Sequence, residues 1–182
     1  MTRIPAHTAE TAPPAARDTL QAFGRKAGKV LTIYGGMAHA PVTLQTHAAI
    51  ENTLEQHGTF DAPTRQAIAL TVAAANHCTY CQAAHTAAGR AAGLSEQQTL
   101  AIRRGNAGFD PKLEALLAVV REITRRTGEV STATWQAALA AGWTDTQLTE
   151  AFAHTMANIF TTYFTHFAGT ELDLPPAPPL DH

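Results

Sequence analysis

The chain has 182 residues, of which 45% are hydrophobic and 15% charged, with a formal net charge of −2. That is enough for one domain with a sizeable core, and it carries no excess charge of the kind that binds nucleic acid or membrane surfaces. The first residues, MTRIPAHTAETAPPAARD, lack an apolar leader and no run is apolar enough for a membrane span, so a cytoplasmic protein is expected.

Residues 1–14 carry Pro5, Pro13 and Pro14 and read as an N-terminal arm. A helical domain follows over residues 15–170, opening with a weak helix at about 15–23. The run KVLTIYGG is the best strand candidate, short and solitary. Pro41 begins a helix that reaches His57 and stops at Gly58. Asp61 and Pro63 start another, running to about Asn76. Ser95 and Gln98 form a capping box before EQQTLAIRRG. Asp110-Pro111 opens a helix whose Leu113, Leu116, Leu117, Val120 and Ile123 recur at helical spacing, and Gly128 closes it. A further helix covers 132–141. Thr144 and Gln147 cap the last one, which ends at Gly169. Its Leu148, Phe152, Met156, Ile159, Phe160, Tyr163, Phe164 and Phe167 read as a stripe buried in the core. The tail over residues 171–182, ELDLPPAPPLDH, has too many prolines for a helix. The pattern predicts an all-α single domain of about seven or eight helices.

The chemistry concentrates in NHCTYCQAAHTAAG, residues 76–89, which holds both cysteines of the chain. Two helix registers are open there. Thr79 and Gln82 can form a capping box, or Asn76 can be the N-cap. Either puts a sulfur beside free backbone N–H groups at the positive end of a helix, where a thiolate is favoured. His85 lies one turn after Cys81, so the two can share a face and exchange a proton. Cysteines three apart at a helix start are also near disulfide-forming distance. Haem attachment would need His directly after Cys81, where Gln82 stands. Zinc would need further ligands beyond Cys78, Cys81 and His85, and no second pair is present. Two inert buried thiols would leave the placement of His85 unexplained. A redox dithiol accounts for all three residues, and no cofactor is called for. His77 reads as a surface residue, and His154 and His166 as packed or exposed side chains of the last helix.

The segment TRQAIALTVAAANHCTYCQAAHTAAGRAAGLSEQQTLAIRRG resembles the carboxymuconolactone decarboxylase superfamily, and more narrowly its alkyl hydroperoxidase D branch. The shared pattern is a long apolar helix, Cys-x-x-Cys-x-x-x-His, then AGLS and a short helix ending in RRG. The resemblance implies an all-helical fold assembled as a trimer or hexamer. It also implies a hydroperoxide substrate and a small dithiol or redox protein as reductant. By the same resemblance Cys81 attacks peroxide, Cys78 donates a proton and resolves the intermediate, and His85 relays protons. One position departs: the family's relay glutamate, twelve residues before the first cysteine, is Gln66 here. Glutamine can orient a histidine but cannot take up a proton at neutral pH, so His85 works without a carboxylate, or another acid replaces it, or activity is weak. Other readings are dithiol–disulfide exchange with a separate peroxidase, a lactone decarboxylase, and an oligomeric scaffold without catalysis.

Overall fold

The structure is a computed structural model and describes residues 2–180; residues 1, 181 and 182, at the outer ends of the two expected arms, lie outside it. Among the described residues there are nine helices and no strand. They are α1 Pro14–Ala27, α2 Thr32–Met37, α3 Pro41–His57, α4 Ala62–Ala75, α5 Thr79–Ala91, α6 Glu96–Arg103, α7 Pro111–Arg125, α8 Thr132–Ala140 and α9 Asp145–Ala168.

The punctuation residues act as their chemistry requires. Asp61 accepts the N–H of Thr64, and Asp110 accepts those of Lys112 and Leu113. Full capping boxes close at Ser95/Gln98 and Thr144/Gln147. The strand candidate is overturned, because Thr32 to Met37 form α2. The run is too short for its period to separate strand from helix. Two glycines that weaken it as an isolated helix let other chain segments approach: a Cβ on Gly35 would stand 2.5 Å from the carbonyl oxygen of His7, and one on Gly36 would stand 3.3 Å from the ring of Phe164.

Helix α4 is the centre of the domain. Its run Ala67 to Ala73 is buried throughout, and it packs against α5, α6, α7 and α9. An aliphatic core forms on one side, with Ile68, Leu70, Leu116, Leu117, Val120 and Leu148. A second core gathers Leu20, Met37, Leu44, Tyr80 and both cysteines under α1, α2 and α3.

The expectation for the last helix needs correction. Leu148 is buried, but Phe152, Met156, Tyr163 and Phe167 are 42–65% exposed. The buried arc of α9 is instead Leu148, Ala151, His154, Thr155, Ala157, Thr162 and Thr165. Small residues there allow close approach to α4, and each threonine can return its hydroxyl to its own helix, as Thr155 does to Ala151 and Thr165 to Thr161.

Both arms lie on the chain's own helices. Arg3 donates to the carbonyls of His166 and Phe167 at the end of α9. The tail crosses the start of α2 and α5: Asp173 accepts from Tyr80 and Thr32, and Arg103 donates to the carbonyl of Pro178. Among the described residues no helix is long and apolar enough to cross a membrane.

Candidate functional site

The turn between α4 and α5 is built from the motif itself. His77 takes a left-handed conformation with φ 54°. Its N–H reaches Ala74, and that of Cys78 reaches Ala73, which closes α4 with the paired bonds of a Schellman turn. Cys78 then serves as N-cap of α5, its sulfur accepting the N–H of Cys81 at 3.2 Å. The N-cap is therefore neither Thr79 nor Asn76, and Thr79 is the first helical residue. A thiol replaces the expected hydroxyl or amide because the Schellman turn at His77 fixes where α5 can begin.

This placement makes the two thiols unlike. Both are free and buried, but Cys78 is sealed, whereas Cys81 borders a cavity of about 110 Å³. The Cys81 thiol is held below its ordinary pKa, chiefly by a hydrogen bond from Cys78, with a further one from Thr162, against the opposing effect of burial. The Thr162 hydroxyl lies 3.5 Å from the sulfur. Donation to Cys81, burial and the nearby Cys81 charge push the Cys78 thiol up. Cys81 is the more readily ionised thiol of the pair, and Cys78 the one that keeps its proton.

His85 projects from α5 toward α4, and its Nδ1 lies 3.0 Å from the side-chain oxygen of Gln66. An amide oxygen only accepts, so Nδ1 carries the proton and Nε2 has the free lone pair. Burial lowers the His85 pKa to about 4, so the ring is neutral at pH 7. His85 and Cys81 line the same cavity. A neighbouring cavity of about 160 Å³ contains Gln66, and the two share Glu51, His85 and Asn158. The four residues expected from sequence, Gln66, Cys78, Cys81 and His85, thus converge on one locus.

Other expected placements divide. His77 is exposed, and so is His166. His154 is packed in α9, its Nε2 3.4 Å from Glu150 and without a well-aligned hydrogen bond. Among the described residues no three His, Cys, Asp or Glu side chains converge to hold a metal ion.

Sequence reasoning missed Glu51, His47 and Tyr34, which complete the cavity wall. They carry no motif. His47 and Glu51 are one turn apart on α3, a repeat found on any helix, and only the packing of α3 on α9, which turns both toward the cavity of Cys81, gives it meaning. His47 is buried without a partner for either ring nitrogen, between the rings of Phe23, Tyr34 and Phe160. Burial lowers its pKa to about 4.

A larger hollow of about 810 Å³ runs between α3 and α9, walled by Ile50, Met156, Phe160, Tyr163, Phe164 and Phe167 among others. It contains no thiol, carboxyl or imidazole, so the acid–base and thiol chemistry belongs to the smaller cavities.

Comparison with known proteins places this arrangement. The carboxymuconolactone decarboxylase family matches residues 41–122. No curated protein is significantly similar in sequence. Among solved structures, the alkylhydroperoxidase AhpD core of an uncharacterized peroxidase-related protein from Ralstonia eutropha is 23% identical, with a TM-score of 0.84 over 94% of this chain and 92% of that one. A peroxidase-related protein from Silicibacter is 21% identical, with a TM-score of 0.73 over 96% and 91%. The debrominase Bmp8, in a cysteine-to-alanine variant bound to 2,3,4-tribromopyrrole, is 10% identical with a TM-score of 0.79 over 95% and 92%. The matched segment runs from α3 through most of α7 and contains Gln66, both cysteines and His85. The chain is similar to the carboxymuconolactone decarboxylase family over residues 41–122 and has an alkylhydroperoxidase D-like fold.

Proposed function

We propose that the protein is a thiol-dependent hydroperoxide reductase. The observation that carries this reading is the asymmetry of the two thiols: a stabilised Cys81 sulfur opens on a cavity, with a protonated Cys78 sealed behind it. The Cys81 thiolate attacks one peroxide oxygen and the O–O bond breaks. The departing alkoxide takes a proton and leaves as an alcohol, and Cys81 becomes a sulfenic acid. The Cys78 thiol condenses with it, releasing water and forming the Cys78–Cys81 disulfide. An external dithiol supplies two electrons and two protons to restore the pair. The peroxidase-related neighbours support this assignment, and a cavity of about 110 Å³ has room for a compact hydroperoxide.

Replacing Cys81 with serine tests it. Peroxide consumption driven by dithiothreitol or reduced lipoamide is expected to vanish in Cys81→Ser, and an unchanged rate would overturn the reading. Reduction of a protein disulfide, measured in parallel, separates direct peroxide turnover from service to a partner peroxidase.

The apolar hollow favours a further part of the reading, a homo-oligomer in which a second copy covers the outer face of α9, as a trimer or hexamer. Phe167 is 65% and Tyr163 56% exposed on a continuous apolar surface, and patches of that kind on a soluble chain are commonly interfaces. Light scattering at micromolar concentration is expected to give a multiple of the 19.3 kDa chain mass. A monomer mass would sink the assembly without touching the thiol chemistry.

A further inference from the structure

We propose that Glu51 is the acid–base group of the thiol cavity: its carboxyl holds the proton that Cys81 gives up and delivers it to the oxygen leaving the peroxide. The inference rests on the hydroperoxidase reading for its second half, while the sharing of a proton between Glu51 and Cys81 stands by itself.

The need for such a group follows from the residues at the site. Peroxide cleavage leaves an alkoxide that must be protonated, and the attacking thiol must first lose a proton. Cys78 keeps its proton for the condensation step. Gln66 is an amide and carries none to exchange. His85 is neutral, with Nδ1 committed to Gln66. In the wall of the cavity that contains Cys81, Glu51 is the one carboxyl side chain, and it also lines the cavity on the Gln66 side. It therefore stands at the junction of the two hollows, with His85 as the other titratable residue they share.

Its own surroundings suit a proton carrier. Glu51 is half-buried, and among the described residues its carboxyl has no hydrogen-bond or ion-pair partner. The groups around it come from every helix packed there. Lys26 of α1 and Arg65 of α4 favour its charged form, and Glu55 on its own helix opposes it. Tyr34, His47 and His154 contribute uncharged rings at neutral pH. Burial is the largest influence and, with Glu55, raises the carboxyl above its usual range. The Tyr34 hydroxyl experiences the charges of both Glu51 and Cys81, so all three crowd one small volume.

A raised acid and a lowered thiol at one cavity approach each other in proton affinity. Facing one cavity, Glu51 and Cys81 can hold one proton between them, with the carboxyl carrying it when the thiolate attacks. After attack, that proton goes to the alkoxide, either from Glu51 directly or through Nε2 of His85, and Glu51 remains as a carboxylate. It regains a proton when the dithiol reduces the disulfide. No proton or electron is left over.

The test is Glu51→Gln, which keeps the shape and removes the titrating group. The first measurement is Cys81 alkylation by iodoacetamide as a function of pH, read by mass on the Cys81 peptide. In the unsubstituted protein, charging of Glu51 holds back the thiolate, so reactivity rises in two steps. In the variant it should rise in one step at lower pH. The second measurement is kcat/KM for hydrogen peroxide, expected to fall about 100-fold, the usual weight of one general acid, with loss of its decline on the alkaline side. Adding Gln66→Glu to the variant, which places a carboxyl on the other side of His85, should recover at least about 10-fold of that loss. Identical alkylation profiles with and without the Glu51 carboxyl would overturn the inference, as would an unchanged kcat/KM with its alkaline decline intact. A shifted alkylation profile in a protein without Cys81-dependent peroxide turnover would remove the hydroperoxidase reading and leave the proton pair standing. Should Glu51→Gln fold poorly, Glu51→Ala is titrated by alkylation in the same way.

Discussion

The two sides of α9 reverse the usual order of a helix in a soluble protein. From Phe152 onward the outward side carries Phe152, Met156, Tyr163 and Phe167, while the inward side carries Thr155, Thr162 and Thr165. The difference comes from what each side touches. The inner side lies on α4 and the thiol, where small side chains allow close packing and hydroxyls can donate to sulfur. The outer side lines an apolar hollow against α3 and faces solvent in the isolated chain. Hydropathy alone misorders such a helix, because a thiol site draws polar side chains inward while an apolar hollow keeps aromatic ones on the outer side.

The largest effect expected along α9 is on its one large aliphatic core residue, Leu148, which is 2% exposed. Leu148→Ala should cost about 2–5 kcal/mol of folding stability in urea unfolding, as for other buried leucines. A loss below about 1 kcal/mol would mean that the α4–α9 contact depends on the small residues rather than on this anchor.

Next is a pH effect at the ring stack joining α9 to α3. His47 is buried with its pKa lowered to about 4, against roughly 6.5 in an unfolded chain. Below pH 6.5 the unfolded chain takes up a proton that the folded one refuses, so stability is full above that value and declines as pH falls toward 4. The loss should reach on the order of 2–3 kcal/mol, and His47→Phe should flatten this part of the stability–pH curve. A curve unaltered by the substitution would show that His47 is not the group responsible.

On the inner side, Thr162→Val keeps the shape and removes the hydroxyl 3.5 Å from the Cys81 sulfur. Hydrogen bonds to charged groups contribute about 1.5–3 kcal/mol, so Cys81 alkylation at pH 7 should slow roughly 10-fold, with little change in melting temperature. Full reactivity in this variant would remove Thr162 from the thiolate's support.

On the outer side, Tyr163→Asp and Phe167→Asp should barely alter chain stability, within about 0.5 kcal/mol for exposed positions. Their readout is assembly: light scattering should show smaller particles. Unchanged particle size would place the interface elsewhere and leave the outward aromatics unexplained.

Much of the fold was legible because helix boundaries are set by local chemistry. Asp61, Ser95, Asp110 and Thr144 each cap a helix through their own side chain, and Gly169 ends the last one in the left-handed conformation. The convergence of Cys78, Cys81 and His85 was legible for the same reason, since one helical turn fixes their relative positions whatever lies around them. Gln66 came from family resemblance, and its bond to His85 confirms that the two face each other. Long-range packing decided the rest. Helix α2 could not be told from a strand until Gly35 and Gly36 were seen against His7 and Phe164. The inner arc of α9 could not be chosen from periodicity, because a repeat of 3.6 residues shows that a helix has faces without saying which is covered. Glu51 is an ordinary helical glutamate until α3 is laid on α9 and lines the same cavity as Cys81. Caps and turns bind their nearest neighbours in sequence, so the sequence by itself determined the bounds of the capped helices and how the thiols and His85 are spaced. Burial and pKa depend on groups tens of residues away, so only the tertiary structure decided that Cys81 opens on a cavity, that Cys78 is sealed, and that a carboxyl from another helix lines the same cavity as Cys81.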